Sequence, residues 1–291
     1  MKVGLQLYSV KDNMKKDADK TMRTVAELGY KYLETFVWSA DRDNLADEKN
    51  FGLGMRREDA KTFLADNGIK IVGGHYYYPG DCSYYEKMLD YYAYLGGTHF
   101  GSGGDFYPGG LDELKRKMDL MVKDAELAKS YGLQYYYHNH YWEFQKFDGK
   151  YVWDIMRETL PEDLVKFELD NYWACRGGVD PIEVAERTGD RLILMHQKDF
   201  NKNAGYPLSL LEYAVDPDGP MSAEQHRANR LVTDFAEVGT GILPIQDFIN
   251  AGNKVGVKYI LLEQDLTAID ELDSIRISMD AFHKYEGIEW D

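Results

Sequence analysis

The chain has 291 residues, with 34 basic and 50 acidic side chains and a formal charge of −16. Phosphate backbones and anionic lipid surfaces repel a protein this acidic, which argues against nucleic acid or a membrane as a partner. The length suits one large α/β barrel or two ordinary domains, with core enough to fold without a metal or disulfide staple.

Cys82 and Cys175 are the only cysteines, a usage that fits a reducing cytoplasm. Met1 to Gln6 enters a strand directly and lacks the apolar core of a signal peptide. No stretch approaches the roughly 18 apolar residues of a membrane span. A cytoplasmic protein is therefore expected.

The first strand is expected over Val3–Tyr8. A helix follows from about Ala18 to Leu28, with Met22, Val25, Ala26 and Leu28 on its apolar face and Gly29 as its stop. Tyr32–Phe36 reads as the second strand, followed by a polar stretch from Ala40 to Gly54 and a helix from about Arg57 to Asn67. Ile69–His75 is the third, with a Tyr-rich helix over Ser83–Leu95 behind it. Thr98–Gly101 is the weakest strand, and the longest helix is predicted from Leu111 to Tyr131.

Tyr135 to Tyr137 favour a fifth strand, and alternation puts Tyr136, His138 and His140 on one face. Val165–Asp170 is the sixth strand, after which Pro181 suits the first turn of a helix. Leu192–His196 and Tyr259–Glu263 are the seventh and eighth. Asn201 to Glu237 is too long for a plain connection; it is expected to lid a site or build a contact between subunits. Eight strands alternating with helices, and no GxGxxG after the first, predict a single (β/α)8 TIM barrel across residues 1–291.

In such a barrel the strand C-terminal ends converge on the mouth. Here those ends carry Glu34, His75, His138, His140, Glu168, Asp170, His196 and Glu263, with Lys198 two residues beyond His196. Packing alone would place Val or Ile there, and unpaired buried charge is strongly unfavourable. A divalent cation supplies the missing partner, since carboxylate oxygen and imidazole nitrogen suit Mn, Co, Fe or Zn.

Four pieces in order carry a resemblance over nearly the whole chain: His138-Asn139-His140-Tyr141-Trp142-Glu143-Phe144, Glu168-Leu169-Asp170-Asn171-Tyr172-Trp173, His196-Gln197-Lys198-Asp199 and Val238-Gly239-Thr240-Gly241. They resemble the xylose isomerase-like barrel superfamily of sugar phosphate isomerases and epimerases. The resemblance implies one divalent metal, Mn first and Zn, Co, Fe or Mg as alternatives, on ligands from strands five to eight. Asp170, His196 and Glu263 match the last three positions. At the first, the usual Glu-x-His reads His138-Asn139-His140, similar to the subset containing inosose dehydratase. His138 is expected to complete the metal site, with His140 or Glu143 as alternatives.

The implied reaction removes a proton beside a carbonyl of a sugar or keto-sugar through an enediolate. Glu263 would be the base, with His140 or His138 as the acid. Lys198 would bond a substrate oxygen, or else pair with Glu168 or Asp199. A keto-polyol dehydratase or keto-glycoside hydratase/lyase is the alternative, and a non-catalytic sugar-binding barrel the third reading. The partner is a small carbohydrate, with His75, Glu143, Trp173 and Glu34 as further contacts. Trp38 and the tyrosines after strand three are pocket candidates. With no Arg or Lys cluster near the strand ends, an unphosphorylated sugar is expected.

Overall fold

Short runs of Val, Ile, Leu and Tyr, apolar on both faces, are what a parallel barrel buries between its interior and its helices. In the computed structural model, which describes residues 1–37, 47–76, 84–219 and 221–290, these runs form eight barrel strands. They are β1 (Lys2–Gln6), β2 (Tyr32–Val37), β3 (Lys70–Tyr76), β4 (Gly101–Ser102), β5 (Tyr135–His138), β6 (Val165–Asp170), β7 (Leu192–Gln197) and β8 (Tyr259–Leu262). The order 1-8-7-6-5-4-3-2 closes on itself, and neighbours run parallel. The expected (β/α)8 barrel is the observed one.

The surrounding helices include Ala18–Glu27, Arg57–Asn67, Tyr85–Tyr94, Gly110–Ser130, Pro181–Thr188, Ile245–Val255 and Glu271–Phe282. Asp17, Asp180 and Asp270 cap their N-termini through side-chain oxygens, and Pro181 sits in the first turn as expected. A further helix, Val152–Thr159, had no clear signal: it is short, and buries Val152, Trp153 and Met156. Trp38, Tyr77, Tyr78 and Cys82 lie outside the described residues.

Only Gly101 and Ser102 form regular ladder at the fourth strand, with His99 bridging Gln134 just before them. The cause is close approach. A Cβ on Gly101 would overlap the Tyr136 carbonyl, so β4 and β5 meet only because this position has no side chain. Gly101→Ala is expected to cost about 1–3 kcal/mol by overpacking. An unshifted urea midpoint would show that the strands have room.

Alternation along the strands sets what faces the barrel interior. Tyr32, Val72 and Leu261, from three strands, meet in an apolar cluster separate from the main core. Two residues further along two of those strands, Glu34 and Glu263 turn the interior polar at the strand C-terminal ends. The 201–237 segment is built in rather than loose. A two-stranded ribbon pairs Asp199–Phe200 with Phe235–Ala236. The buried Arg176–Asp234 ion pair, 3.1 Å apart, fastens it from below. Its helix Ala223–Ala228 opens on a Ser222–Gln225 capping box. No helix among the described residues is long and apolar enough to cross a membrane.

Candidate active site at the barrel mouth

His196, at the end of β7, is the hub of the mouth. Its Nε2 lies 2.5 Å from Glu34 Oε2 and 3.1 Å from Glu168 Oε1. Its Nδ1 lies 2.8 Å from Glu263 Oε2 and 3.9 Å from Asp170 Oδ2. His75 Nε2 reaches Glu168 Oε2 at 2.8 Å and Glu34 Oε1 at 3.1 Å, while His138 Nδ1 lies 3.2 Å from Glu168 Oε2. Gln6 Nε2 donates to Glu34 Oε2 at 2.8 Å, and the Tyr136 hydroxyl donates to the other oxygen.

Lys198 is fully buried and pairs with Asp170, with Glu263 at 2.5 Å and with Asp265 at 3.4 Å. Neither Glu168 nor Asp199 is its partner. Asp199 instead accepts the backbone N–H groups of Gly239, Gly241 and Leu243 at 3.1, 2.9 and 3.0 Å. That is why the Val238-Gly239-Thr240-Gly241 motif accompanies the strand: it is a cradle for one carboxylate.

These neighbours decide the charges. Burial opposes ionisation of Glu263, yet Lys198 and His196 hold its carboxyl well below the usual range. Asp170 shares Lys198 but stands farther from His196, so burial wins and pushes it up to about 6. Burial also opposes charge on His196, but Glu168, Glu34 and Glu263 raise it well above the ordinary histidine value. His75 is pushed up to about 9 by Glu34 and Glu168 against the same burial. His138 and His140 go the other way. Burial, then the His196 and His75 rings for His138 and His226 and Lys198 for His140, keeps both neutral.

The donor set fits a divalent ion. Two overlapping groups bring their ligand atoms within 4.8 Å of one another: His138, Asp170, His196 and Glu263, and His75, His138, Glu168 and His196. The first is the set that the family resemblance implied, two imidazole nitrogens and two carboxylate oxygens, a combination suited to Zn, Mn, Co or Fe. Glu34, Glu168, Asp170 and Glu263 have Lys198 as the one permanently charged cation among these groups. Glu168 Oε1, buried, has the His196 ring 3.1 Å away but no aligned hydrogen bond among the described residues.

A cavity of about 260 Å³ opens beside this cluster. His75, His138, Glu263 and Asp265 reach it from the strand ends, and His140 and Trp142 from the loop after β5. The His140 and Trp142 rings stack at 4.3 Å and 8°. His226, Arg227 and Arg230 of the long insertion, with Tyr8 and Phe106, supply wall that the sequence reading missed. The Ser222–Gln225 box was the available signal for the helix bearing His226. Nothing in the sequence said which way that helix would face.

Glu34, Glu143 and Trp173, expected at the substrate, are not on the cavity wall. Glu34 is sealed between Gln6, His75 and His196. Trp173 is buried with its ring 5.7 Å from that of His140, so it backs the wall. Glu143 does not return to the metal cluster either. Its Oε1 accepts from the Tyr137 hydroxyl at 2.5 Å and its Oε2 from the His140 N–H at 2.8 Å, which ties the loop to its own strand.

Burial pushes Glu143 up to about 8, with those two hydrogen bonds only partly opposing it. A carboxyl raised on folding favours the fold while protonated. That stabilisation is whole below the unfolded value near 4.5 and is lost as pH rises through about 8. Glu143→Gln is therefore expected to match wild type near pH 5 and exceed it by about 1–3 kcal/mol near pH 9. Parallel denaturation curves at both pH values would refute the assignment.

A model of the xylose isomerase-like TIM barrel family matches residues 22–285. A search of curated proteins gives no match. Among solved structures, a sugar phosphate isomerase/epimerase from Parabacteroides distasonis superposes with a TM-score of 0.75 at 20% identity, covering 99% of this chain and 95% of that one. The IOLI protein, solved with a bound zinc atom, gives 0.69 at 14% identity over 99% and 100% of the two chains. AsbF from Bacillus anthracis, described as a probable 3-DHS dehydratase, gives 0.70 at 14% over 98% and 99%. At such identities these likenesses speak for the fold. The match from residue 22 to 285, on a closed eight-stranded barrel with its polar groups gathered at the mouth, makes this chain a member of the xylose isomerase-like TIM barrel family.

Proposed function

We propose that the protein is a divalent-metal-dependent enzyme that removes a proton beside the carbonyl of a sugar or keto-sugar, as an isomerase or epimerase. One observation carries the reading: Glu263 and His140 line one cavity, and Glu263 converges with His138, Asp170 and His196 on a place that could hold a metal ion. His138, Asp170, His196 and Glu263 would hold the metal, which when bound supplies Lewis-acid polarisation of the substrate carbonyl.

The chain's own groups do the rest. Glu263, kept ionised by Lys198 and His196, takes the proton from the carbon beside the carbonyl and leaves an enediolate. His140 is neutral and lines the cavity, with its Nδ1 turned away beside Gly104. It can therefore accept from or donate to a substrate oxygen, according to its tautomer, without adding a charge. Lys198 fixes Asp170 and Glu263 in place and, fully buried, is not on the cavity wall, so its role is to position them rather than to bond a substrate oxygen. Asn171 Nδ2 donates to the His196 carbonyl at 3.2 Å and steadies the end of β7.

His138, standing where a second carboxylate base is usual in the family, makes the two sides of the site chemically different. This favours a second reading, loss of water from a keto-polyol, in which one side takes a proton and the other gives one to the leaving hydroxyl. Incubation of the Mn-loaded protein with keto-sugars in D2O, followed by NMR and mass spectrometry, tests both. Deuterium at the carbon beside the carbonyl supports the isomerase reading, and a product short of one water the dehydratase reading. Neither, across hexoses, keto-sugars and inososes, would leave the barrel as a sugar-binding protein.

A further inference from the structure

The cavity is acidic at the strand ends and cationic at its outer wall. Arg227 and Arg230 both line it, in a chain of formal charge −16. Both come from the insertion, on the helix Ala223–Ala228 and just beyond it. Arg230 is oriented from behind. Its Nη1 donates to the Tyr8 hydroxyl at 3.2 Å and lies 3.7 Å from Asp265 Oδ2. Lys11, over the Tyr8 ring at 4.7 Å, donates to the Asp265 carbonyl at 2.8 Å and pairs with Glu271 at 3.4 Å, away from the cavity wall. Arg227 is exposed beside the opening.

His226 belongs to the same helix as Arg227. It is 8% exposed, lines the cavity, and its Nδ1 finds no partner among the described residues. Its ring stands 5.4 Å from that of His140, whose Nδ1 is likewise unpartnered and which is 6% exposed. The His140 and His226 rings line the cavity with the aromatic faces of Trp142 and Phe106, a surface suited to a sugar ring and its hydroxyls.

We infer that the cavity takes a carbohydrate bearing an anionic group, a carboxylate or a phosphate ester, with Arg227 and Arg230 binding that group and His226 reading a neighbouring hydroxyl. This rests on the reading that the strand ends act on a sugar, and it names the class of sugar. The expectation of an unphosphorylated substrate came from the absence of Arg and Lys beside the strand ends. The insertion brings two arginines there from more than twenty-five residues beyond β7. A guanidinium fork matches carboxylate and phosphate alike, so the fold leaves both anions open.

Isothermal titration of the Mn-loaded full chain with D-glucose, D-glucuronate and D-glucose 6-phosphate tests this. At least one anion is expected to bind about 10-fold or more tightly than glucose, with the margin shrinking at high salt. The two anionic probes separate carboxylate from phosphate. In R227A/R230A the margin is expected to fall to about 2-fold or less while metal content and circular dichroism stay as in wild type, and R227K should retain part of it. His226→Phe keeps the packing and should weaken all three probes by similar factors. Titrations of metal-free protein separate the two readings, since a preference for anions that survives without metal or turnover supports the subsite even if the proposed reaction fails. Glucose binding as tightly as both anions, neither anion binding at millimolar concentration, or a margin unchanged in R227A/R230A would overturn it.

Discussion

Replacing His196 by alanine is expected to abolish tight divalent-metal binding and to lower stability by about 3–5 kcal/mol, the cost of breaking a buried charge network from one side. The magnitude follows from its position. Glu34, Glu168, Glu263 and Asp170 all lie within 3.9 Å of its ring nitrogens, and all four are buried. Without the imidazole these carboxylates face one another with Lys198 and His75 as their remaining cationic partners. Calorimetric titration with Mn and urea denaturation read the two effects separately. A variant that binds Mn as wild type does would remove His196 from the ligand set, whatever its stability.

Lys198→Met should be the second large effect, and it has a distinct signature. The ammonium holds Asp170, Glu263 and Asp265 together, so its loss leaves three buried carboxylates short of a cation. A cost of about 3–5 kcal/mol is expected at pH 7 in metal-free buffer. A bound divalent ion supplies charge to two of the same carboxylates. At one fixed Mn concentration the variant is therefore expected to bind the ion more tightly and to be stabilised more than wild type, each gaining about 2.7 kcal/mol where Mn stands at a hundredfold excess over its own Kd. The pH dependence has a definite sign. Glu263 is held below its ordinary value, so its contribution is present above about 4.5 and is lost as pH falls through the lower folded value. The gap between wild type and variant should hold from pH 7 to about 4.5 and narrow as pH falls below it. A gap that is constant with pH and indifferent to Mn would mean that Lys198 contributes packing alone.

The barrel and the ligands on its strand ends were legible because both are local patterns. Val165–Asp170 reads as a strand from its own residues, and a period of two puts Glu168 and Asp170 on one face. Closure then brings strand ends together wherever they sit in the chain, so Asp170, His196 and Glu263 could be grouped before any contact was visible, and the family resemblance added His138. What was not legible depends on distance and direction. Glu143 follows His140 by three residues and looked like a ligand; only the fold shows Tyr137 and the His140 N–H holding it away. Glu34 and Trp173 sit on the right elements but one layer behind the wall. Lys198 could have turned to Glu168 or Asp199, and the backbone N–H groups around Asp199 decide against the latter. His226, Arg227 and Arg230 lie in a segment with no period to read, and their place at the cavity is a result of packing.

Elemental analysis of the purified protein and of Glu263→Ala tests the central claim most directly. The account predicts about one equivalent of a transition metal in wild type, its loss in Glu263→Ala, and its retention in Glu143→Gln, whose side chain only braces the loop. A wild-type protein that takes up no divalent metal under any loading, or a Glu263→Ala variant that holds it undiminished, would contradict the site described here.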